Sequence, residues 1–277
     1  MFYYPDASLW EIAVHRSITH LKNLLRTILD SFCYRQERKI TKELLLSKKG
    51  KCAIVLANGP SVALLDPKKV SELNYDIFAV NGYVNSEFSE VLKPTHYVLT
   101  DPGYFDFNNS NYQTTKKVFN LDATLFVPFH LGLKTQSRAN VYKFCDREDR
   151  SSKNVSNILR PRGYLSMTAY KALSITLYMG YEKVYICGFD NDYILNVSND
   201  EDNNLAYLNA HFYNLLGKEE DVSKLWPSIG YMMYTEHFLF TDLDKFNLDC
   251  DGKIINLSKK SLCNSFSKKH CLDIYAA

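Results

Sequence analysis

A chain of 277 residues, 46% of them hydrophobic, can bury a full core, and one α/β domain with an appendage is the natural expectation. Its formal net charge of +2 excludes a whole-molecule field of the kind that binds nucleic acid. Seven cysteines, an odd number without CxxC spacing, read as reduced thiols rather than a disulfide framework or a metal cluster.

The first element is helical. Residues 7–31 carry apolar side chains at Leu9, Ile12, Ala13, Ile18, Leu21, Leu24, Leu25 and Ile28, and intervals of three and four mark an amphipathic helix. A second helical piece is expected over 40–47. Residues 1–51 hold ten Lys/Arg against five Asp/Glu. Two placements are open for the helix: docked on its own domain or on another copy, as in a homo-oligomer, or in peripheral contact with an anionic membrane. No run reaches the ~20 apolar residues of a membrane-spanning helix, and residues 1–11 lack the pattern of a signal peptide. A cytoplasmic protein is expected, on the inner face of the plasma membrane if the helix meets lipid.

From residue 51 the pattern changes. CAIVLA is a short continuous apolar run, as in a strand covered on both faces, and NGPS ends it. VALLDPKKVSEL reads as a short helix. YDIFAVN (75–81), THYVLTDP (95–102) and ATLFVPF (123–129) read as further strands. A helix is expected over 166–181, from Ser166 or Thr168 to Gly180, followed by the strand in 183–192. Residues 194–222 are polar and read as irregular, long enough for a lid. A helix over roughly 225–246 and a strand at 252–258 complete the chain. Alternating strands and helices argue a mostly parallel, doubly wound sheet with helices on both faces.

Four strand ends carry polar or glycine-containing sets: Asn58-Gly59-Pro60-Ser61, Asn81-Gly82, Asp101-Pro102 and Gly188 through Asp192. Ligands of open α/β sheets bind beyond the carboxyl ends of strands, so four such ends together mark a site. No Lys follows Ser61, which argues against a P-loop, and GxGxxG is missing. Pro60 removes an N–H donor, so the loop suits one or two phosphates or the sugar end of a nucleotide. Arg162, ahead of the helix beginning near Ser166, offers an anion site with that helix N-terminus, or else a surface salt bridge. Asp190-Asn191-Asp192 reads as a turn more readily than as a metal site, and no metal site is assigned. Among the histidines, His211 in AHFYN follows an acidic stretch between aromatic residues and is the candidate acid–base group, with His237 in TEHF as the alternative.

These islands resemble the bacterial sialyltransferases of glycosyltransferase family 42: AIVLANGPS, the strands ending in Asn81 and Asp101, MTAYKALSITLYMGYEKVYICGFD, and KIINLSKKSLCNSF as last strand and following helix. The resemblance spans about 51–270. It implies a Rossmann-like domain over 51–277 with a lid at about 192–224, preceded by a helical appendage over 1–50. It implies an inverting, metal-independent transferase that uses a CMP-activated nonulosonic acid as donor and a glycan or glycolipid hydroxyl as acceptor, in lipopolysaccharide or capsule synthesis. By position, Asn58 and Ser61 would meet the nucleotide and Asn81 the donor phosphate or sugar. Asp101 stands where the family carries asparagine. Thr168 or Ser166 matches a helix-start serine, Arg162 an arginine, and Asp190 an acid on the ribose. Tyr193 and Tyr207 match tyrosines on the leaving phosphate, and His211 the general base. YVLTDPGYF is equally similar to archaeal 6-hydroxymethylpterin diphosphokinases and flagellin-glycosylation proteins. That resemblance implies ATP-dependent pyrophosphoryl transfer with a metal on Asp101 and Asp190; a non-catalytic nucleotide-binding module is the remaining alternative.

Overall fold

The computed structural model describes residues 9–131, 140–149, 154–163 and 167–276. Ser166 lies outside the described residues. Eleven strands are described: β1 (Cys52–Leu56), β2 (Asp76–Val80), β3 (His96–Val98), β4 (Thr124–Pro128), β5 (Val141–Phe144), β6 (Lys183–Cys187), β7 (Val197–Asn199), β8 (Leu205–His211), β9 (Asn214–Asp221), β10 (Ile254–Asn256) and β11 (Ser267–Lys268). Seven α-helices accompany them: α1 (Leu9–Cys33), α2 (Arg35–Lys42), α3 (Pro67–Glu72), α4 (Phe88–Val91), α5 (Tyr112–Phe119), α6 (Thr168–Met179) and α7 (Ile229–Asp249).

Eight strands form one sheet in the order β11-β10-β6-β1-β2-β3-β4-β5, and every pairing in it is parallel. The chain runs outward from β1 through β2 to β5, then returns to β1's other edge as β6. Strand order therefore reverses at β1, which places a crevice at the carboxyl ends of β1 and β6. Alternation along β1 builds both cores. Ala53 and Val55 face a layer with α6 and α7, while Ile54 and Leu56 face one with Tyr83, Tyr97 and Leu99. The apolar run of β1 is thus the mark of a strand buried on both sides.

Helix α6 is buried along nearly its whole length and ends where Gly180 turns left-handed at φ +83. A Cβ there would lie 2.9 Å from the Leu46 Cα, so the close approach as well as the turn calls for glycine.

Three expectations are corrected. The segment read as irregular is a small antiparallel sheet, β7-β8-β9, whose short polar runs, Ser198-Asn199 and Glu219 through Asp221, break the apolar alternation of a strand. The second N-terminal helix is α2, over 35–42 rather than 40–47; residues 43–50 are turns, with Leu46 at φ 56. Strand β5 lies in what read as polar loop, because it is half-buried at the sheet edge under α2. There Thr41 donates to the Lys143 carbonyl at 2.8 Å and Tyr34 stacks on Phe129. No described helix is long and apolar enough to cross a membrane.

Candidate functional site

The four polar strand ends converge on one cavity of about 890 Å³. Asn58, Gly59 and Pro60 come from beyond β1, Asn81 from β2, Thr100 and Asp101 from β3, and Gly188 through Asp192 from β6. Tyr193 lies beyond them, and β8 roofs the space with Tyr207, Asn209 and His211.

The glycine turn is locked to the end of β6. Gly59 N donates to the Gly188 carbonyl at 3.0 Å, and Ser61 N donates to Asp190 Oδ2 at 3.0 Å. A Cβ on Gly59 would lie 2.3 Å from that carboxylate oxygen and 2.5 Å from the Gly188 carbonyl oxygen. Gly188 has φ +74, and a Cβ there would meet Val62 at 2.6 Å. The expected glycines are therefore required by backbone contact, whatever the ligand. Ser61 is not part of the lining. Its hydroxyl accepts from Gly188 N at 3.1 Å and shares a 2.5 Å contact with the Ser258 hydroxyl, so it ties the turn together.

Thr168 does line the cavity, at the N-terminus of α6. Its hydroxyl contacts the Thr100 hydroxyl at 2.7 Å and accepts from Asn81 Nδ2 at 3.1 Å. Asn81 Oδ1 is then buried without a partner, as are Asn58 Oδ1 and Asn191 Nδ2. Three orphaned amide atoms around one cavity are an open hydrogen-bonding requirement that a polar ligand satisfies.

Arg162 stands elsewhere, contrary to both sequence readings. The Arg147 carbonyl accepts from Arg162 N at 3.1 Å, and the Arg162 side chain turns inward, fully buried. Its guanidinium donates to the Cys145 carbonyl at 2.8 Å and lies over the Phe144 ring. It therefore does not line the cavity, and burial lowers its pKa.

His211 is placed by its neighbours. Phe212 N donates to the Asn58 carbonyl at 3.0 Å, the Phe212 ring packs on Tyr83 and Phe88, and Tyr213 covers Gly82. The aromatic residues on one side of His211 thus pin the hairpin to the ends of β1 and β2. Burial lowers the His211 pKa, against opposing pulls from Glu220 and from a hydrogen bond to the Asn58 backbone. A neutral imidazole at neutral pH can accept a proton. His237 faces away, exposed on α7.

The next residue back was missed in the sequence. Consecutive helical positions point about 100° apart, so Glu236 faces the cavity where His237 cannot. It is 8% exposed, and burial raises its pKa to about 7. The Tyr193 phenol donates to it, and the Tyr193 ring stacks on Trp226, another lining residue without a sequence signal. Tyr207 also lines the cavity, with its phenol pushed up to about 12 by burial and then by Glu220.

The lining is rich in acid. Among the described residues, Asp101, Asp146, Asp190, Asp192, Glu220 and Glu236 line the cavity with one ammonium, Lys171, which is paired with Asp146 at 2.8 Å. Asp192 is raised by burial and then by Asp190. Asp101 Oδ1 accepts from Gly103 N at 2.8 Å, capping its own turn. Among the described residues, no group of three His, Cys, Asp or Glu side chains could hold a metal ion.

No family model matches the sequence, and neither does any curated protein. Solved structures do. The sialyltransferase CST-II, in complex with a trisaccharide acceptor and CMP, is 15% identical, with a TM-score of 0.46 over 79% of this chain and 85% of that one. The MAf glycosyltransferase from Magnetospirillum magneticum AMB-1 is 11% identical, with a TM-score of 0.47 over 84% of this chain and 37% of that one. The monofunctional alpha-2,3-sialyltransferase Cst-I from Campylobacter jejuni is 15% identical, with a TM-score of 0.41 over 80% and 81%. These are proteins of the kinds the sequence islands resemble. Likeness at this depth assigns no role to any side chain.

Proposed function

We propose that this protein is a glycosyltransferase that moves a nonulosonic acid from a CMP-sugar to a glycan acceptor hydroxyl, with inversion, in the synthesis of a bacterial surface polysaccharide. The observation that carries the reading is the cavity at the strand-order reversal, with one unpartnered amide atom on each of Asn58, Asn81 and Asn191 around it and His211 held over it. Amides of this kind pair with the base, sugar and phosphate of a nucleotide. Neutral His211 takes the proton of the acceptor hydroxyl as its oxygen attacks the anomeric carbon. The bond from that carbon to the phosphate oxygen breaks, and CMP leaves with the electron pair. The N-terminus of α6, with Thr168, supplies partial positive charge to the departing phosphate. Tyr207 is the tyrosine suited to that phosphate. The Tyr193 phenol is already given to Glu236, and a neutral Glu236 releases it more readily than an ionised one. Carboxylates elsewhere in the lining accept from sugar hydroxyls.

The acid-rich lining favours one second reading, in which Asp101 and Asp190 take a metal that arrives with ATP and the reaction is pyrophosphoryl transfer. A thermal-shift series with CMP, CDP, UDP, GDP and ATP, with and without magnesium, separates the two. Stabilisation by CMP without metal, followed by CMP release from a CMP-sugar, is the expected result. A response to purine nucleotides alone would sink the transferase.

A further inference from the structure

Helix α1 is seated the wrong way round for a helix that serves only its own domain. Its polar side faces the protein: Asn23 is buried and donates to the Glu148 carbonyl at 2.9 Å, His20 meets Asp149 at 3.2 Å, and Asp30 pairs with Arg147. At about 100° per residue, the opposite side, about 180° away, carries Ile18, Leu21, Leu25, Ile28, Leu29 and Phe32. These six are between 47% and 75% exposed. An amphipathic helix ordinarily buries this stripe against its core. Here intramolecular contacts account for the polar side and, among the described residues, leave the apolar one without a partner.

We infer that α1 docks this protein onto an anionic lipid surface through that stripe. Shape, aromatic placement and charge single out lipid. From Trp10 to Phe32 the helix runs roughly 33 Å at 1.5 Å per residue, and the exposed face spans roughly 140° of it once Leu24 is included. That is broader than the two-position seam of a paired coil. The two aromatic residues, each about three-quarters exposed, stand at its two ends, as interfacial rings do. Lys22 and Arg26 are exposed along one border, and Arg35 and Lys39 follow on α2. Residues 1–51 hold ten basic and five acidic residues, against 23 and 26 in the remainder, so the positive end of the molecule is the end with the apolar stripe. A second copy would bring two such basic ends together. Lys22, Asn23 and Arg26 within α1 make the helix lie on the surface rather than span it.

The test uses the full chain with vesicles of phosphatidylcholine alone and of phosphatidylcholine with equimolar phosphatidylglycerol, beside sedimentation velocity without lipid. Strong partition onto the mixed vesicles, weak partition onto the neutral ones and partial release by salt are expected. The double change Leu21→Asp with Leu25→Asp should lower partition by about a hundredfold or more, from the apolar surface lost. Lys22→Glu with Arg26→Glu should lower it about fivefold per charge removed, on mixed vesicles only. Both variants alter exposed side chains, so their melting temperatures should match the parent's. The inference is overturned if the chain ignores mixed vesicles, if the leucine variant partitions as the parent does, or if the stripe instead drives a dimer in lipid-free solution. None of these outcomes bears on the cavity, so the transferase reading stands or falls apart from it.

Discussion

Replacing Glu236 by glutamine tests the charge balance of the cavity through stability alone, without any ligand. Burial raises this carboxyl from 4.5 to about 7 in the folded protein. In the unfolded chain it returns to its ordinary value, so between those limits the folded protein holds a proton that the unfolded chain has released. The contribution is fully present below pH 4.5 and is lost as the pH rises through about 7. The gap corresponds to about 3 kcal/mol at about 1.4 kcal/mol per pH unit. Glutamine keeps the shape, can accept from the Tyr193 phenol and does not titrate. The variant should therefore exceed the parent by under about 1 kcal/mol at pH 5 and by about 3 kcal/mol at pH 8. With unfolding entropy near 2.1 cal/mol/K per residue, that is roughly 1 °C and roughly 5 °C in melting temperature. Scanning calorimetry of both proteins across this range measures it. A difference independent of pH, or a variant less stable at pH 8, would refute the reasoning. It would mean that the Tyr193 phenol holds Glu236 ionised in the ordinary range.

Two further outcomes follow from the site. Gly59→Ala places a methyl against the Asp190 carboxylate and the Gly188 carbonyl, so it should cost about 1–3 kcal/mol of stability and abolish the CMP-dependent thermal shift; an unchanged shift would show that the turn does not hold the nucleotide. His211→Gln should lower kcat by about 10²- to 10⁴-fold while the melting temperature holds, and the parent's rate should rise with pH through a value below the 6.5 of an ordinary histidine. Near-parental turnover in the variant would remove His211 from the chemistry.

Strand ends were the most legible part of the molecule, for a physical reason. A central parallel strand must be apolar on both faces, so CAIVLA stops abruptly where the chain leaves the sheet, and the polar residues that follow are those at the crevice. That logic found Asn58, Gly59, Pro60, Asn81, Asp101, Gly188 and Asp190 as lining residues. It misplaced Arg162 because an arginine ahead of a helix reads as an anion site, whereas this side chain is buried against the Cys145 carbonyl and the Phe144 ring. It passed over Glu236 because the eye goes to histidine in TEHF. On α7, burial is decided by one step of helical angle, which composition does not show. The β7-β8-β9 sheet was invisible because short polar runs, Ser198-Asn199 in β7 and Glu219 through Asp221 in β9, interrupt the apolar pattern of its strands.

The N-terminal helix marks a different limit. Hydrophobic spacing in 7–31 established that one face of α1 is apolar, and α1 forms where the spacing put it. Spacing says nothing about what lies against that face. The polar contacts of Asn23 and Asp30 bind the helix to the 147–149 segment from the other side. Burial of the polar side removes lipid-repelling groups from the outer face, so one set of contacts both anchors the helix and orients its stripe. If those contacts set the orientation, Asn23→Ala should leave the stripe's composition intact but weaken membrane partition by freeing the helix to turn. A stripe that worked as a detached peptide would not notice that change.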